Sequence, residues 1–209
     1  MDIILVGLFS YLSGSIPFGL ILTKVFTNQD IRNTGSGNIG ATNVLRTGNK
    51  FLAALTLILD ILKGFIPVII AQQYFPALIQ FSCLLAFLGH VFPVWLKFKG
   101  GKGVATYLGI LLALSIQLGL LFMFTWLVVS LIFKYSSVSS MFASLTVFVI
   151  HTMREIAGPI FKIMSDQTIK TYEIASLSLL LFIFFILIIF THRKNISNLK
   201  NKTENKIKI

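Results

Sequence analysis

One uncharged stretch decides how many helices this chain forms: V-A-T-Y-L-G-I-L-L-A-L-S-I-Q-L-G-L-L-F-M-F-T-W-L-V-V-S-L-I-F, from Val104 to Phe133. It runs for roughly 30 residues, whereas about 20 apolar residues are enough for one membrane-spanning helix. Near its middle, Ser115, Ile116 and Gln117 favour a turn. We therefore predict two helices, at about 104–114 and 117–133, the first of them short. One long tilted helix is the alternative.

The whole composition is that of a polytopic membrane protein. Of its 209 residues, 56% are hydrophobic and 12% are charged, and the mean hydropathy is +0.87, whereas soluble domains carry about 25% charged residues. We predict one all-α integral membrane domain over residues 1–209, with a basic cytoplasmic tail at 191–209. The predicted helices cover about 3–25, 51–71, 77–96, 104–114, 117–133, 138–151 and 173–190. Pro17 should kink the first helix, and the mixed stretch 152–172 is left unassigned.

The positive charge orients these helices. With the N-terminus outside, 14 of the 18 Lys and Arg residues fall in regions predicted to be cytoplasmic, as expected for membrane proteins. A single helix over 104–133 would instead put the basic tail outside. Seven transmembrane helices, with the N-terminus outside and the C-terminus in the cytoplasm, are therefore predicted. Because topology explains the net charge of +11, no nucleic-acid partner is expected.

The first polar loop, T-G-S-G-N-I-G-A-T-N-V-L-R (Thr34–Arg46), combines glycines with small polar residues and a final arginine. Glycines allow backbone N–H groups to approach a ligand, and successive N–H groups form an anion-binding concavity. The planar guanidinium of Arg46 suits phosphate. The loop is interpreted as an oxyanion site, and a polar turn between helices is the plain alternative.

A second glycine-rich stretch, K-G-G-K-G (Lys99–Gly103), precedes the predicted helix at 104. It does not have the spacing of a Walker A loop, but its glycines permit close phosphate approach. Lys102 is the candidate ligand here, and a positive anchor at the inner face is the alternative. His90, just before this stretch, is a candidate because ionisable groups inside a membrane are often functional; a histidine bonding between helices is its alternative.

Other polar side chains are assigned from their spacing. His192 and Asn195 lie three residues apart and share a helical face if the last helix continues; Ser137 and Ser140 have the same spacing, and a plain turn is the alternative there. Asp60 and Lys63 are predicted to pair within the second helix. Cys83 lies in an apolar run and is expected to pack in the core.

Metal chemistry is not expected. The predicted inner loops and tail offer only Asp30 and Glu204 as carboxylates, and the three histidines lack zinc-type spacing. No metal and no cofactor are therefore predicted.

Five motifs follow one another along the chain: G-S-I-P-F-G (Gly14–Gly19), S-G-N-I-G-A-T-N-V-L-R (Ser36–Arg46), D-I-L-K-G (Asp60–Gly64), G-H-V-F-P-V-W-L-K-F-K-G-G-K-G-V-A-T (Gly89–Thr106) and H-R-K-N-I (His192–Ile196). Taken in this order, they resemble those of the bacterial acylphosphate:glycerol-3-phosphate acyltransferases, and the resemblance covers nearly the whole chain. The second motif is the most specific. The tail departs from the family pattern at Asn198, where an arginine is usual, and at Lys202, where a glycine is usual.

The resemblance implies transfer of a fatty acyl group from acyl phosphate to the 1-hydroxyl of glycerol 3-phosphate. It implies seven membrane helices, a site on the cytoplasmic side of the bacterial inner membrane, and contact with membrane lipid. The enzyme that makes the acyl phosphate is an expected partner. The implied polar site consists of Ser36, Thr42, Arg46, Lys102, Ser140, His192 and Asn195, with Asn38, Asn43 and His90 in support. Ser137 is the alternative candidate for the position assigned to Ser140.

The chemistry of these substrates agrees with the residues. Phosphate is a good leaving group, so direct transfer needs no acyl-enzyme, and His192 or a substrate phosphate oxygen could take the hydroxyl proton. The H-x-x-x-x-D pair of other glycerolipid acyltransferases is absent, because Trp95, Ile156 and Ser197 stand five residues after the histidines. A transporter of phosphorylated anions is the main alternative, and a scaffold that binds acidic lipid through its tail is a weaker one.

Overall fold

The computed structural model describes the backbone of residues 1–163 and 172–207, and the side chains of residues 1–157 and 177–207. The described backbone is helical, without strands. The α-helices are α1 (Asp2–Ser15), α2 (Phe18–Thr27), α3 (Ala41–Arg46), α4 (Lys50–Tyr74), α5 (Ile79–Val91), α6 (Val104–Leu114), α7 (Ile116–Phe133), α8 (Ser136–Ile163), α9 (Tyr172–Thr191) and α10 (Arg193–Lys200). The chain forms two compact units, Met1–Gly119 and Leu120–Ile209.

In the first unit, the opening apolar segment is broken between α1 and α2. Pro17 stands at the break and has no N–H to continue the helix, so the predicted kink is present. The ammonium of Lys63 on α4 donates to the carbonyl of Ile16 at 2.7 Å. Because no water is available in a membrane interior, this bond helps to satisfy a backbone carbonyl that the break leaves without its helical partner.

Glycines bring two helix pairs of this unit into backbone contact. Helix α4 packs on α6, and α1 packs on α5. A Cβ on Gly64 would overlap the carbonyl oxygen of Thr106, and a Cβ on Gly109 would overlap that of Ile61. Small residues at such crossings let helices approach closely in a membrane, so these two positions fix how α4 and α6 sit together.

The uncharged stretch that begins at Val104 is divided where the sequence predicted a turn. Helix α6 ends at Leu114, Ser115 is extended (φ −165°, ψ 125°), and α7 begins at Ile116. The amide of Gln72 donates to the Ala113 carbonyl at 3.1 Å, which satisfies a group at the end of α6.

In the second unit, α8 packs along α9. Helix α8 continues to Ile163, whereas the sequence placed the end of this segment near His151; residues 164–171 lie outside the described range. A bend of 55° separates the span that ends at Thr191 from α10.

The predicted core position of Cys83, in the first unit, is confirmed, since this thiol is fully buried.

Five helical segments of the described chain are long and apolar enough to cross a membrane. They are Asp2–Thr27, Lys50–Tyr74, Pro76–Leu96, Ile116–Phe133 and Ser136–Ala157. The bent pair formed by the last two helices would be a sixth, and Val104–Leu114 is a shorter apolar helix. The chain is an all-helical, multi-pass membrane protein, while the count of seven spans and the orientation of the termini stay predictions.

Candidate active site

The Thr34–Arg46 loop of the first unit is organised around the side chain of Asn43. This amide is 2% exposed. Its Nδ2 donates to the carbonyls of Ile31 at 3.0 Å, Thr34 at 3.0 Å and Asn38 at 2.7 Å, and its Oδ1 accepts from the Ser36 N–H at 2.8 Å. Since the amide is engaged within the loop, its geometry gives Asn43 a supporting role.

The same loop requires a glycine at position 35. Gly35 has φ +54°, a left-handed conformation that side chains rarely adopt, and a Cβ there would overlap Oδ1 of Asn43. The stem of Arg46 passes beside it. Ser36 is exposed, and Asn38 and Thr42 are half-buried. Ser36 and Asn38 therefore share one ordered segment with Thr42 and the exposed Arg46, and the last two lie on α3.

Apolar packing holds this loop on the helices. Ile31, Ile39 and Val44 are buried in a cluster that includes Leu20 of α2 and Leu52 of α4. Leu96, just before the second glycine-rich stretch, packs on the same cluster. Burying aliphatic side chains contributes about 1.5–3 kcal/mol each, so the polar segment is anchored by its own apolar residues.

An ion pair between Asp30 and Arg32 lies just before this loop in the chain, and the sequence patterns did not indicate it. Arg32 donates to both carboxylate oxygens of Asp30, with Nη2 2.6 Å from Oδ2 and Nε 2.9 Å from Oδ1. The hydrogen bond from the Arg32 side chain lowers the pKa of Asp30 to about 2. The sequence signal for this ion pair was an aspartate followed two residues later by an arginine.

The K-G-G-K-G stretch is held against the end of α5. The Gly100 N–H donates to the Val91 carbonyl and the Gly101 N–H donates to the His90 carbonyl, each at 3.1 Å. Gly103, at φ +80°, precedes the first turn of α6. Lys102 is half-buried between two buried glycines. His90 is 3% exposed, beneath Gly101.

In the second unit, His192 and Asn195 stand at the start of α10. His192 is 1% exposed, and its Nδ1 lies 2.8 Å from the Ile188 carbonyl. A carbonyl can only accept, so Nδ1 carries the proton and Nε2 is the nitrogen that can take one. The ring is thus oriented by the last turn of α9.

Glu204 joins the tail to this part of the second unit, and the sequence analysis did not identify this role. Its Oε1 accepts from Asn195 Nδ2 at 2.6 Å and from Ser137 Oγ at 3.0 Å. The Ile207 N–H also donates to the Lys134 carbonyl at 2.7 Å. The sequence signal for this role of Glu204 was that it is the one carboxylate side chain in an otherwise basic tail.

Of the two competing serines, Ser137 is the one linked to Asn195 through Glu204. The Ser140 hydroxyl donates to the Ser136 carbonyl at 2.8 Å and accepts from the indole of Trp126 at 3.1 Å. Both serines are buried. The role of Ser140 as a substrate ligand stays a prediction.

Comparison with known proteins identifies the family. The family model described as glycerol-3-phosphate acyltransferase matches residues 4–202. The chain belongs to the glycerol-3-phosphate acyltransferase family. A glycerol-3-phosphate acyltransferase of Pelagibacter ubique is 52% identical over 209 residues and covers 100% of both chains. Another, from Mesorhizobium japonicum, is 46% identical over 207 residues, which is 98% of this chain and 96% of its own.

Two solved structures of PlsY, an integral membrane glycerol 3-phosphate acyltransferase, have the same fold. The glycerol 3-phosphate form is 35% identical with a TM-score of 0.83, covering 100% of this chain and 96% of its own. The lysophosphatidic acid form is 34% identical with a TM-score of 0.80, covering 99% and 95%. The family predicted from the motifs is confirmed.

Proposed function

We propose that this acyltransferase moves a fatty acyl group from acyl phosphate to the 1-hydroxyl of glycerol 3-phosphate, giving lysophosphatidate and phosphate. The observation that carries the proposal is the loop organised by Asn43, which presents Ser36, Thr42 and Arg46 from one ordered segment in a member of this family. The two forms of the related PlsY, with glycerol 3-phosphate and with lysophosphatidic acid, support the same acceptor and product.

The reaction balances without a covalent enzyme intermediate. The 1-hydroxyl oxygen attacks the acyl carbon, the bond between that carbon and the phosphate oxygen breaks, and the hydroxyl proton leaves with a base or with the departing phosphate. Catalysis then consists of holding two anions near each other and stabilising developing negative charge. Donors and cations, rather than a nucleophile, are the groups that such a reaction needs.

The proposed roles follow from the chemistry of each side chain. Arg46 and Lys102 bind phosphate oxygens by charge-assisted hydrogen bonds, and Ser36 and Thr42 add hydroxyl donors. His192 is the candidate base, because its Nδ1 proton is held by a carbonyl and Nε2 can accept. Asn195 and Ser140 are proposed to contact substrate, and Asn38, Asn43 and His90 to support the loops.

The proposal extends to the membrane topology. Seven spans with the N-terminus outside would put both glycine-rich loops and the tail on the cytoplasmic face of the bacterial inner membrane, where acyl phosphate would arrive from the enzyme that makes it. The distribution of Lys and Arg supports this orientation. Cysteine labelling of single-cysteine variants at Thr47 and Tyr74, in intact cells and after lysis, tests it.

The decisive experiment uses purified protein in detergent with palmitoyl phosphate, glycerol 3-phosphate, EDTA and no coenzyme A. We expect equal amounts of lysophosphatidate and phosphate. Arg46→Ala and Lys102→Ala should each lower kcat/KM by about 10- to 100-fold, since hydrogen bonds to charged groups contribute about 1.5–3 kcal/mol. Lys97→Ala, which removes an exposed lysine just before the second loop, is the matched control.

Two results would refute the proposal. Absence of product from folded protein that binds glycerol 3-phosphate would favour the transporter, and uptake of labelled phosphate compounds into vesicles would then be measured. Product formation only with acyl-coenzyme A would show that the protein is an acyltransferase but that acyl phosphate is not its donor.

A further inference from the structure

Three buried polar side chains of the first unit, Asp60, Lys63 and His90, are not proposed to contact substrate. Asp60 is 2%, Lys63 4% and His90 3% exposed. Lys63 Nζ lies 2.7 Å from Asp60 Oδ1, which confirms the predicted pair, and His90 Nδ1 lies 3.9 Å from the same oxygen. Buried ion pairs are often no more stabilising than apolar residues of the same volume. Stability alone is therefore a poor reason for placing these charges in a membrane protein.

One end of this group is attached to the break in the first span. Lys63 Nζ donates to the carbonyl of Ile16, and the Lys63 carbonyl accepts from Ser13 Oγ at 3.3 Å. The ammonium thus contacts a carboxylate on its own helix and a carbonyl at the α1–α2 break. Its position is fixed from two directions.

The other end lies under the K-G-G-K-G stretch. The His90 carbonyl accepts from the Gly101 N–H, and the His90 ring occupies the space that a Cβ on Gly101 would need. His90 Nδ1 lies too far from the Asp60 carboxylate for a direct hydrogen bond. Nε2 is the ring atom nearest the position that a Cβ on Gly101 would take. Lys102 is the next residue of the chain.

We propose that Asp60, Lys63 and His90 form a positioning cluster, which fixes the Gly100–Gly103 turn, and with it Lys102, relative to the break at Ile16–Pro17. The carboxylate lies beside the Nδ1 edge of the ring and attracts it electrostatically. The ring packs under Gly101, and the ammonium ties the carboxylate to the broken helix. The proposal rests on the phosphate-binding role proposed for Lys102. None of the three side chains is itself required to touch substrate.

The first test measures amide hydrogen exchange of the Gly100–Gly103 turn in the full-length protein in detergent. Asp60→Asn and His90→Phe should raise the exchange rate of the Gly100 and Gly101 amides about tenfold, because their acceptors on α5 are no longer held in register. KM for the phosphate-bearing substrates should rise more than kcat falls. Ser82→Ala is the control, since it removes another buried polar contact of α5, the 2.8 Å bond between Ser82 and Ser10.

The second test uses complementary changes of size. Gly101→Ala should displace the turn and raise KM, because the new methyl overlaps the His90 ring. Adding His90→Ala removes the ring and with it the overlap, so exchange of the turn in the double variant should be no faster than in His90→Ala alone. If Asp60→Asn does not fold, Asp60→Leu with Lys63→Met keeps the volume without leaving one charge alone, and it should still loosen the turn.

Unchanged exchange in His90→Phe and in the Leu/Met double variant would overturn the proposal. So would equal acceleration in Ser82→Ala, which would indicate general loosening of α5. Failure of the proposed function is distinguishable: the wild-type protein would then make no lysophosphatidate from palmitoyl phosphate, while exchange of the turn would still depend on the cluster.

Discussion

Replacing Asn43 by alanine should release the first loop without unfolding the protein. The change removes four hydrogen bonds from one side chain, each contributing about 0.5–1.5 kcal/mol net. Ser36 is exposed, so water replaces part of that loss, and a net cost of about 2–3 kcal/mol is expected. The ordered loop should then be about 30- to 150-fold less populated relative to open forms.

Two assays detect this opening. Trypsin cleavage after Arg32 and Arg46, both exposed, should be faster, and kcat/KM with glycerol 3-phosphate should fall by at least about tenfold. The melting temperature should change little, since the apolar cluster under the loop is intact. Asn33→Ala, which changes an exposed asparagine just before the loop, is the matched control. Equal cleavage and equal kcat/KM in the two variants would refute the supporting role of Asn43.

Three further predictions concern stability, the tail and pH. Gly109→Ala should lower stability by about 1–3 kcal/mol, since its methyl overlaps a backbone carbonyl, whereas Gly40→Ala, which meets only one atom at ordinary contact distance, should melt near wild type. Glu204→Gln should lower kcat by about 10- to 100-fold by weakening two bonds to a charged acceptor; unchanged turnover would reject this. The pKa of Asp30 is lowered to about 2 by Arg32. This pair of a half-buried carboxylate and an exposed arginine should therefore stabilise the loop above about pH 4 and lose that contribution as the pH falls through about 2. Acid melting curves that coincide with those of Asp30→Asn at every pH would contradict this prediction.

Local features of the fold were predictable because short-range chemistry determines them. Pro17 cannot continue a helix, and Ser115 interrupts an apolar stretch that is too long for one span, so both breaks were visible in the sequence. The structure places them at Ile16–Pro17 and at Ser115. The pairing of Asp60 with Lys63 also follows from their spacing of three residues on one helix.

Long-range partners were not predictable in this way. Nothing in the periodicity of α4 indicates that Lys63 also reaches the carbonyl of Ile16, and the end of α8 at Ile163 lies beyond the apolar pattern that defined the segment. Glu204 contacts Ser137 across 67 residues of sequence. Such contacts depend on tertiary packing, which neither the hydrophobic periodicity nor the residue spacing encodes.

The short helix α6 has a consequence for the lipid around it. Eleven residues rise about 16 Å, roughly half of a ~30 Å hydrocarbon core. Its terminal carbonyl at Ala113 is satisfied by Gln72 rather than by water, so the end of the helix can lie at membrane depth. The resulting hydrophobic mismatch favours locally thin bilayers. Turnover should therefore depend on the acyl-chain length of the host lipid, with thinner membranes better accommodating this side of the protein.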